Sequence, residues 1–402
     1  MMERRDFFKR AIVTAGAAAV GSSSLDAGET GHPADDRKVS DIAFPEKRPL
    51  IMYSDRPPLL ETPREHFTAA LTPNDLFFVR WHMPMIPKYI DPDTFTVSLN
   101  GMVKEETRVS LKELKTKFEQ VEVTAVLQCG GNSRSAFNPI AGGIQWGSGA
   151  MGCARWKGVR LRDVIAFAGL QEGAEWIAFN GLDKAVYSKT ENFVRELKID
   201  EIGKEVILAY EMNGEDLPYL NGYPLRLVIP GTYSDSWIKM ISDITVSDRQ
   251  KKLHFMEKAY RIPDNECECE TPDNLFPKTK PIEKMNVNSF IGYPVKGSKV
   301  RKDVHIVDIV VAFDAGHGIK KVEVSIDGGE NWMKALLDDD REGKYAFRAF
   351  RCAFKPMQSG ELTIMSRATN EKGEVQPFAK EIRWNHGGYK YNGIDEVTIE
   401  VV

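Results

Sequence analysis

The pattern of apolar and polar residues changes once along this 402-residue chain, and the change restricts the folds that the chain can adopt. In the first part, from about 49 to 247, short strand-like runs alternate with helical stretches. Residues 94–99 and 121–127 have the pattern of strands, whereas 111–118 and 161–167 have the pattern of short helices. The first part therefore predicts an α+β domain.

The second part begins at about Met285 and consists of repeated short strands. Alternate residues of 321–326 are apolar, Asp327-Gly328-Gly329 predicts a tight turn, and Trp332 begins the return strand. Several such segments without a helical run predict a β-sandwich of immunoglobulin-like type. Two domains also fit the length, since a chain of this size exceeds what one hydrophobic core usually supports.

A polar segment separates the two patterns and contains Pro263, Pro272, Pro277 and Pro281. We therefore predict the first domain at residues 49–250, a linker or excursion at 251–284, and the β-sandwich at 285–402. Cys267 and Cys269 in this segment either form a disulfide or remain two surface thiols, because their spacing is short for relaxed disulfide geometry. The sequence assigns them no function.

The N-terminus has the features of an export signal. Arg4 and Arg5 precede a short apolar run at 11–21, as in bacterial twin-arginine signal peptides. Because a membrane span needs roughly 18 apolar residues, we favour export over a membrane anchor or an amphipathic helix and expect no membrane span. We predict a signal peptide at 1–27, a flexible leader at 28–48, and a periplasmic location.

Charge and cysteine content disfavour several classes of protein. The formal net charge is −4, from 54 basic and 58 acidic side chains, and no long basic block occurs, so we expect no nucleic-acid partner. The five cysteines include no Cys-x-x-Cys pair, which disfavours a zinc knuckle and c-type haem attachment.

The segment Leu127-Gln-Cys-Gly-Gly-Asn-Ser-Arg134 carries the clearest chemical signal. A strand-like run ends there in a glycine-rich turn that presents the thiol of Cys129 next to a cation. A nearby arginine lowers the pKa of a thiol, and soft metals select thiolates as ligands. Taken alone, a single cysteine is more often a buried apolar residue.

The sequence around this segment resembles the sulfite oxidase family of molybdenum enzymes, because five blocks match in the family's order. The family's metal-binding motif is similar to Gln128–Asn132 followed by Arg134, and its upstream arginine segment is similar to Phe77–His82. The other matching blocks lie at 143–161, 208–214 and 222–231, and the β-rich tail is similar to the family's dimerisation domain. The resemblance implies a sulfite-oxidase-type molybdopterin-binding domain followed by the β-sandwich dimerisation domain.

The resemblance also implies a role for each matched residue. Cys129 would ligate molybdenum beside the sulfurs of molybdopterin. The substrate pocket would be lined by Arg80, Arg134, Trp146 and Tyr260. The pterin and its phosphate would be contacted by His82, Asn221, Arg226 and Lys239. Arginine suits sulfite and sulfate, which are compact anions, although the alternatives are surface positions for the two pocket arginines and for Tyr260, and a core position for Trp146.

Two positions depart from the pattern of animal members. Asn221 stands where animal and plant members carry a histidine, and it forms hydrogen bonds but cannot carry a charge. Gly387 stands where animal members carry a substrate-binding arginine near the end of the dimerisation domain. Either His386 or Lys390 compensates for that arginine, or both are exposed residues of the tail.

The activity implied by the resemblance is the oxidation of sulfite to sulfate by a homodimer. Because the sequence contains no haem-attachment motif, we expect no haem in this chain and a separate c-type cytochrome as the electron acceptor. The alternatives are a sulfur dehydrogenase subunit of a thiosulfate-oxidising system, a sulfoxide reductase on the same molybdenum domain, and a non-catalytic binding module with a structural Cys129. The β-rich tail disfavours the sulfoxide reductase.

Overall fold

The computed structural model of the chain describes residues 38–338 and 342–402, and these residues belong to one compact unit. The predicted signal peptide, 1–27, and residues 28–37 of the predicted leader lie outside the described residues. Within the described ranges, no helix is both long enough and apolar enough to cross a lipid bilayer.

In the first part of the described chain, short strands alternate with short helices. The α-helices are α1 (Leu111–Lys117), α2 (Leu161–Ala168) and α3 (His254–Glu257). The strands are β1 (Ile51–Asp55), β2 (Pro58–Glu61), β3 (Val79–Arg80), β4 (Thr96–Gly101), β5 (Thr107–Ser110), β6 (Gln120–Gln128), β7 (Met151–Arg160), β8 (Trp176–Gly181), β9 (Arg195–Lys198), β10 (Ile207–Met212), β11 (Glu215–Asp216), β12 (Arg226–Val228), β13 (Ile241–Ser247), β14 (Arg261–Pro263) and β15 (Thr279–Pro281). Single 3-10 turns lie at Arg64–His66, Asn74–Leu76, Arg134–Ala136, Ile199–Glu201, Tyr219–Asn221 and Ser234–Ser236.

These strands form small sheets around one apolar core. The orders are β1-β2-β3, β5-β4-β13-β8-β9, and β11-β10-β7-β6 with β12 also paired to β10, while β14 and β15 form a separate pair. Strands β4 and β13 are parallel, and the other pairs in these sheets are antiparallel. The two predicted strands and two predicted helices are confirmed as β4, β6, α1 and α2, with bounds that differ by no more than two residues.

Helix α1 shows why the local sequence folds as predicted. Ser110 precedes the helix and accepts a hydrogen bond from the backbone N–H of Glu113, while the Glu113 side chain accepts one from the Ser110 N–H. This capping box satisfies two N–H groups that the start of a helix otherwise leaves unpaired. Leu111 and Leu114 are buried on the inner face.

The second part is a β-sandwich, as predicted. Its strands are β16 (Asn288–Tyr293), β17 (Lys299–Val300), β18 (Ile306–Phe313), β19 (Ile319–Ser325), β20 (Met333–Lys334), β21 (Leu336–Leu337), β22 (Arg348–Phe354), β23 (Gly360–Asn370) and β24 (Asp395–Val401), and a 3-10 turn lies at Ala379–Glu381. The two sheets have the orders β16-β18-β22-β21 and β17-β24-β23-β19-β20. Apolar side chains from both sheets, among them Val310, Val322, Phe350 and Ile399, share one core.

A third apolar cluster joins the two parts. Val126 and Met151 from β6 and β7 pack with Phe290 and Phe313 from β16 and β18. The joint thus lies on β6, which leads into the Cys129 segment, and on its partner β7. This arrangement fixes the end of β6 from the side of the β-sandwich.

Two segments that composition predicted as irregular are held by specific bonds. Residues 251–284 contain α3, β14 and β15, and Cys267 and Cys269 form a disulfide. Residues 38–48, the described end of the predicted leader, contact the first domain, where the amine of Lys47 donates hydrogen bonds to three acceptors. This end of the leader is therefore part of the fold, whereas its polar composition predicted a position outside it.

Candidate active site

Two cavities meet at Cys129. The first is lined by the four predicted cofactor residues, His82, Asn221, Arg226 and Lys239. The second is lined by the four predicted substrate residues, Arg80, Arg134, Trp146 and Tyr260. Cys129, Arg80 and Tyr260 line both cavities. The structure thus brings all nine predicted site residues to one place in the molecule.

Cys129 follows the last residue of β6, and backbone bonds fix it there. Its N–H donates to the carbonyl of Ala150 at 2.9 Å, and its own carbonyl accepts from the N–H of Asn132 at 2.9 Å. The thiol is free of any disulfide and the residue is buried. A side chain at Gly131 would lie 2.2 Å from the guanidinium of Arg134, so the glycine lets that cation pass close to the turn.

Arg226 is a buried cation on the wall of the first cavity. Its guanidinium lies 4.9 and 6.0 Å from the ring centres of Trp156 and Trp237 and donates to the carbonyls of Asn221 and Trp237, at 2.7 and 3.3 Å. Its Nε is buried without a hydrogen-bond partner in the described part of the chain. Burial lowers the pKa of Arg226 to about 9. A buried cation with an unused donor suits an anionic ligand.

Lys239 adds a second positive charge to the same wall. Its amine donates to the carbonyl of Arg80 at 2.8 Å and lies 4.5 Å from the centre of the Trp81 ring. The pKa of Lys239 is lowered to about 7, chiefly by burial. The positive charge of Arg226 contributes to this lowering, and its effect is larger than the opposite effect of the neighbouring Asp183. An anion between these cations would stabilise their charged forms. The wall therefore fits the phosphate of molybdopterin.

His82 and Tyr260 connect the two predicted subsites. Nε2 of His82 is hydrogen-bonded to the hydroxyl of Tyr260, and the imidazole stacks on Phe193 with 3.5 Å between ring centres. Burial, followed by the charges of Arg80, Lys239 and Arg195, holds the pKa of His82 well below its usual value. Burial also raises the pKa of Tyr260. The pair is therefore a neutral imidazole and a protonated phenol at neutral pH.

Asn221 is held by groups of the protein itself. Its Oδ1 accepts from the amine of Lys47 at 2.5 Å, and its Nδ2 donates to the carbonyl of Phe78 at 3.0 Å. Its backbone carbonyl accepts from Arg226. The residue lines the first cavity, and its side chain joins the walls that carry Arg80 and Arg226.

The second cavity is cationic. Arg134 donates through Nε to the carbonyl of Gly387 at 2.9 Å and through Nη1 to that of Ile144 at 2.8 Å, and its guanidinium lies 5.2 Å from the centre of the Tyr389 ring. Trp146 is fully buried, and its indole nitrogen has no hydrogen-bond partner among the described residues. The surface alternatives for Arg134 and Tyr260 are wrong, since both residues are buried.

Gly387, which stands where animal members carry an arginine, leaves room for the ring of Tyr389. A side chain at Gly387 would lie 2.3 Å from the Tyr389 ring, so this tyrosine fills the space beside the backbone. The neighbouring His386 lines the second cavity, whereas Lys390 is paired with Glu268 at 2.8 Å. His386 is exposed, with 47% of its side chain accessible, as the alternative for the tail predicted, whereas Lys390 is half-buried. Of the two residues considered as replacements, His386 lines the cavity.

Sequence reasoning missed two residues of the second cavity, Lys258 and Tyr389. Tyr389 accepts a hydrogen bond from the backbone N–H of Tyr260 at 3.3 Å, and burial raises its pKa. Lys258 is an exposed lysine in a charged segment, and Tyr389 belongs to a glycine-rich tail. Neither local pattern marks a site, because the fold brings them to the cavity from distant parts of the chain.

Two family models match the chain. Residues 82–255 match the oxidoreductase molybdopterin binding domain, and residues 279–401 match the Mo-co oxidoreductase dimerisation domain. The mitochondrial sulfite oxidase of Rattus norvegicus is 33% identical over 367 residues, which are 88% of this chain and 66% of the rat protein. The sulfite oxidase of Gallus gallus is 32% identical over 384 residues, 92% of this chain and 81% of the chicken protein.

A solved structure has the same fold. The sulfane dehydrogenase SoxCD from Paracoccus pantotrophus superimposes with a TM-score of 0.73 over 95% of each chain, at 22% sequence identity. The α+β domain, the β-sandwich and the thiol between two cationic cavities define a molybdopterin-dependent oxidoreductase. The chain belongs to the sulfite oxidase family of molybdenum enzymes.

Proposed function

We propose that this chain oxidises sulfite to sulfate, with Cys129 as the protein ligand of molybdenum. Sulfite and water give sulfate, two protons and two electrons. The observation that carries the proposal is the position of Cys129 at the junction of two cavities that are both lined by cationic side chains. The name of the rat and chicken relatives, sulfite oxidase, supports the choice of substrate.

The residues of the chain divide the work between the two cavities. Molybdopterin-bound molybdenum supplies the oxygen transfer and the two-electron redox chemistry when it is present. Arg226 and Lys239 hold the phosphate of the pterin by charge, and His82 and Asn221 complete that wall. Arg80 and Arg134 bind the sulfite anion, because guanidinium donors offer charge-assisted hydrogen bonds to its oxygens.

Trp146 and Tyr260 close the substrate side. The buried indole ring limits the space next to Cys129, and the Tyr260 hydroxyl donates a hydrogen bond to an oxygen of the bound anion. Since His82 contacts the same hydroxyl, it orients Tyr260 and accepts its hydrogen bond when the anion is absent. The left-handed backbone of Tyr260, with φ at 57°, supports a functional role, because such strain is kept where the surroundings impose it.

The electrons leave to a separate c-type cytochrome, and the protein works as a homodimer in the periplasm after export by the twin-arginine route. The match to a dimerisation domain at residues 279–401 supports the homodimer. The Arg4-Arg5 pair and the apolar run that follows support the export route.

Purified protein tests the proposal through metal content and turnover. We expect about one molybdenum per chain and sulfite-dependent reduction of a c-type cytochrome. Cys129→Ser should abolish turnover and leave folding and dimerisation unchanged, whereas Cys352→Ser, at a buried cysteine of the β-sandwich, should keep turnover. Full activity of Cys129→Ser contradicts the ligand assignment.

The alternatives give different results in the same assay. A sulfur dehydrogenase subunit oxidises sulfur bound to a carrier protein and leaves free sulfite unchanged. A non-catalytic binding module contains no molybdenum, and a sulfoxide reductase consumes electrons with a sulfoxide. If the protein contains molybdenum but oxidises only sulfur bound to a carrier protein, the substrate is bound sulfur and not free sulfite.

A further inference from the structure

His386 is held in the second cavity by a buried carboxylate. Its backbone N–H and its Nδ1 both contact Oε1 of Glu270, at 2.9 and 2.5 Å. Its carbonyl accepts from the N–H of Gly142, which lines the same cavity, at 3.1 Å. Nε2 has no hydrogen-bond partner in the described part of the chain. One ring nitrogen is therefore fixed, and the other is available to a ligand.

Glu270 is built to hold this histidine. Its side chain is fully buried, and its second oxygen accepts from the N–H of Phe276 at 2.8 Å. Burial raises the pKa of Glu270, but the N–H donors of His386 and Phe276 lower it more, so the net pKa is below its usual value. The carboxylate therefore fixes the position of the imidazole through Nδ1.

The disulfide loop, residues 264–270, supports this pair. Cys267 and Cys269 are bonded to each other, and the side chain of Asn265 binds the N–H and the carbonyl of Cys269, at 3.1 and 2.8 Å. Glu270 is the last residue of this loop. Glu268 on the same loop holds Lys390, whose N–H donates to the carbonyl of Gly130 beside Cys129 at 3.0 Å. The loop thus holds one residue of the cavity lining, His386, and one residue that is bonded to the backbone next to Cys129.

The protein itself uses part of the cationic lining of the cavity. Arg134 already uses Nε and Nη1 on backbone carbonyls, so only part of its guanidinium is free. The other charged or titratable groups that line the cavity are Arg80, Cys129, Lys258, Tyr260 and Tyr389. Lys258 and His386 are both exposed, and His386 is held in place by the buried carboxylate of Glu270.

We propose that His386, oriented by Glu270 and the disulfide loop, is a substrate-binding residue that holds an oxygen of the oxyanion through Nε2. The inference rests on the proposed function of the same cavity and adds the residue that takes the place of the arginine absent at Gly387. Glu270 is a positioning residue, because it acts through the imidazole. The ligand is a compact oxyanion, sulfite as substrate and sulfate as product.

The test compares His386→Gln with a matched control, His305→Gln, at an exposed histidine of the β-sandwich. We expect His386→Gln to raise the KM for sulfite and the inhibition constant of sulfate about tenfold, with kcat within about twofold, because one charge-assisted hydrogen bond is lost. The control should match the wild type. Unchanged KM and inhibition constants in His386→Gln overturn the proposal.

The comparison of KM with kcat separates binding from a structural role. Loss of a contact to the anion raises the KM for sulfite and the inhibition constant of sulfate, whereas a disturbed fold also lowers kcat. Glu270→Gln should raise both constants by less than His386→Gln, because the imidazole remains but is held less firmly. Constants equal to those of the wild type in Glu270→Gln overturn its role as the positioning residue.

Sulfate binding can be measured without turnover, as the rise in melting temperature of the molybdenum-loaded protein with added sulfate. The rise should be smaller in His386→Gln, and in Cys267→Ser/Cys269→Ser, which frees the loop. If the wild type contains molybdenum but does not oxidise sulfite, the proposed function fails. The effect of sulfate on the melting temperature still shows whether His386 binds the anion. An equal rise in the wild type and His386→Gln contradicts the inference.

Discussion

Arg226 shows how a single residue can oppose folding and favour cofactor binding. Its charge is buried next to two indole rings, with Nε unpartnered in the described ranges and the pKa lowered to about 9 by burial. Such a charge destabilises the empty cavity and is compensated when an anion binds. We therefore expect opposite effects on the protein with and without its cofactor when this charge is removed.

Arg226→Met tests this expectation, because methionine keeps much of the apolar packing between Trp156 and Trp237. We expect molybdenum content to fall at least about tenfold, while the cofactor-free protein melts at the same or a higher temperature than the cofactor-free wild type. Metal analysis and thermal unfolding measure the two effects. Arg108→Met, at an exposed position of β5, is the control. Full molybdenum content in Arg226→Met removes Arg226 from the cofactor wall.

Asp308 is a buried titratable residue of the β-sandwich. Its side chain points into the core of the β-sandwich, and neither carboxylate oxygen has a hydrogen-bond partner in the described part of the chain. Burial, followed by repulsion from Asp395, raises its pKa well above 3.8. The folded state thus keeps a proton that the unfolded state releases above 3.8, so stability falls as pH rises through this window.

Asp308→Val should remove the unfavourable free energy of burying this carboxyl, since valine has a similar volume and is favoured in strands. We expect the variant to be more stable than the wild type by about 1–3 kcal/mol at pH 8, and by less at pH 4, where the carboxyl is neutral. Urea unfolding at the two pH values measures the difference. Glu361→Val, on the exposed end of β23, should change stability by no more than about 0.5 kcal/mol. A destabilised Asp308→Val at pH 8 contradicts this account.

At the scale of residues, the motif of Cys129 and the arginines was predictable, because these residues lie in short matching blocks. The contacts that orient them were not. His386 meets Glu270 across 116 positions of sequence, and Lys47 meets Asn221 across 174. No local pattern specifies such a pair, since its partners are selected by the fold as a whole.

At the scale of elements, the segment Glu46–Arg48 acts as a clamp on the first cavity. Glu46 accepts from the N–H of Tyr219 at 2.6 Å, and the amine of Lys47 donates to the carbonyls of Asn74 and Phe77 and to Asn221. These acceptors belong to the two segments that lead to Arg80 and Arg226. The clamp therefore joins both walls of the cavity.

Lys47→Met should loosen this joint, because it keeps the apolar stem and removes three hydrogen bonds. We expect a loss of about 1–3 kcal/mol in unfolding free energy and faster loss of molybdenum during dialysis. Lys38→Met, at an exposed position eight residues before Glu46, is the control. Unfolding curves and metal content over time measure the effect. Equal retention of molybdenum in the two variants would mean that Lys47 stabilises the fold but does not help to retain the cofactor.

The regular elements were predictable for a simple reason. Helix α1 has its cap and its apolar face in adjacent residues, and the hairpin of β19 and β20 has alternation and an Asp-Gly-Gly turn, so local chemistry suffices. The segments 38–48 and 251–284 were assigned by composition as irregular. Composition does not report the side-chain bonds and the disulfide that order these segments.

At the scale of the whole molecule, Arg64 and Asp395 link the start of the first domain to the last strand of the β-sandwich. Their side chains are almost fully buried and are bonded to each other at 2.8 and 3.0 Å. Arg64 also donates a hydrogen bond to Ser148, which lies two residues after Trp146 of the second cavity. Asp395 further accepts from the N–H of Ile291 at 2.8 Å. One ion pair thus connects both sheets of the sandwich with the domain that carries Cys129.

Asp395→Asn should therefore destabilise the two domains together. Removing one partner leaves a buried, uncompensated arginine, so we expect a loss of about 3–5 kcal/mol. Tryptophan fluorescence, dominated by the indoles of the first domain, and circular dichroism of the strands should shift to lower denaturant by the same amount. Arg351→Met breaks an exposed pair with Asp338 and should cost less than about 1 kcal/mol. Separate transitions in the wild type, or a shift of one probe alone in Asp395→Asn, would mean that the pair stabilises a single domain and does not couple the two.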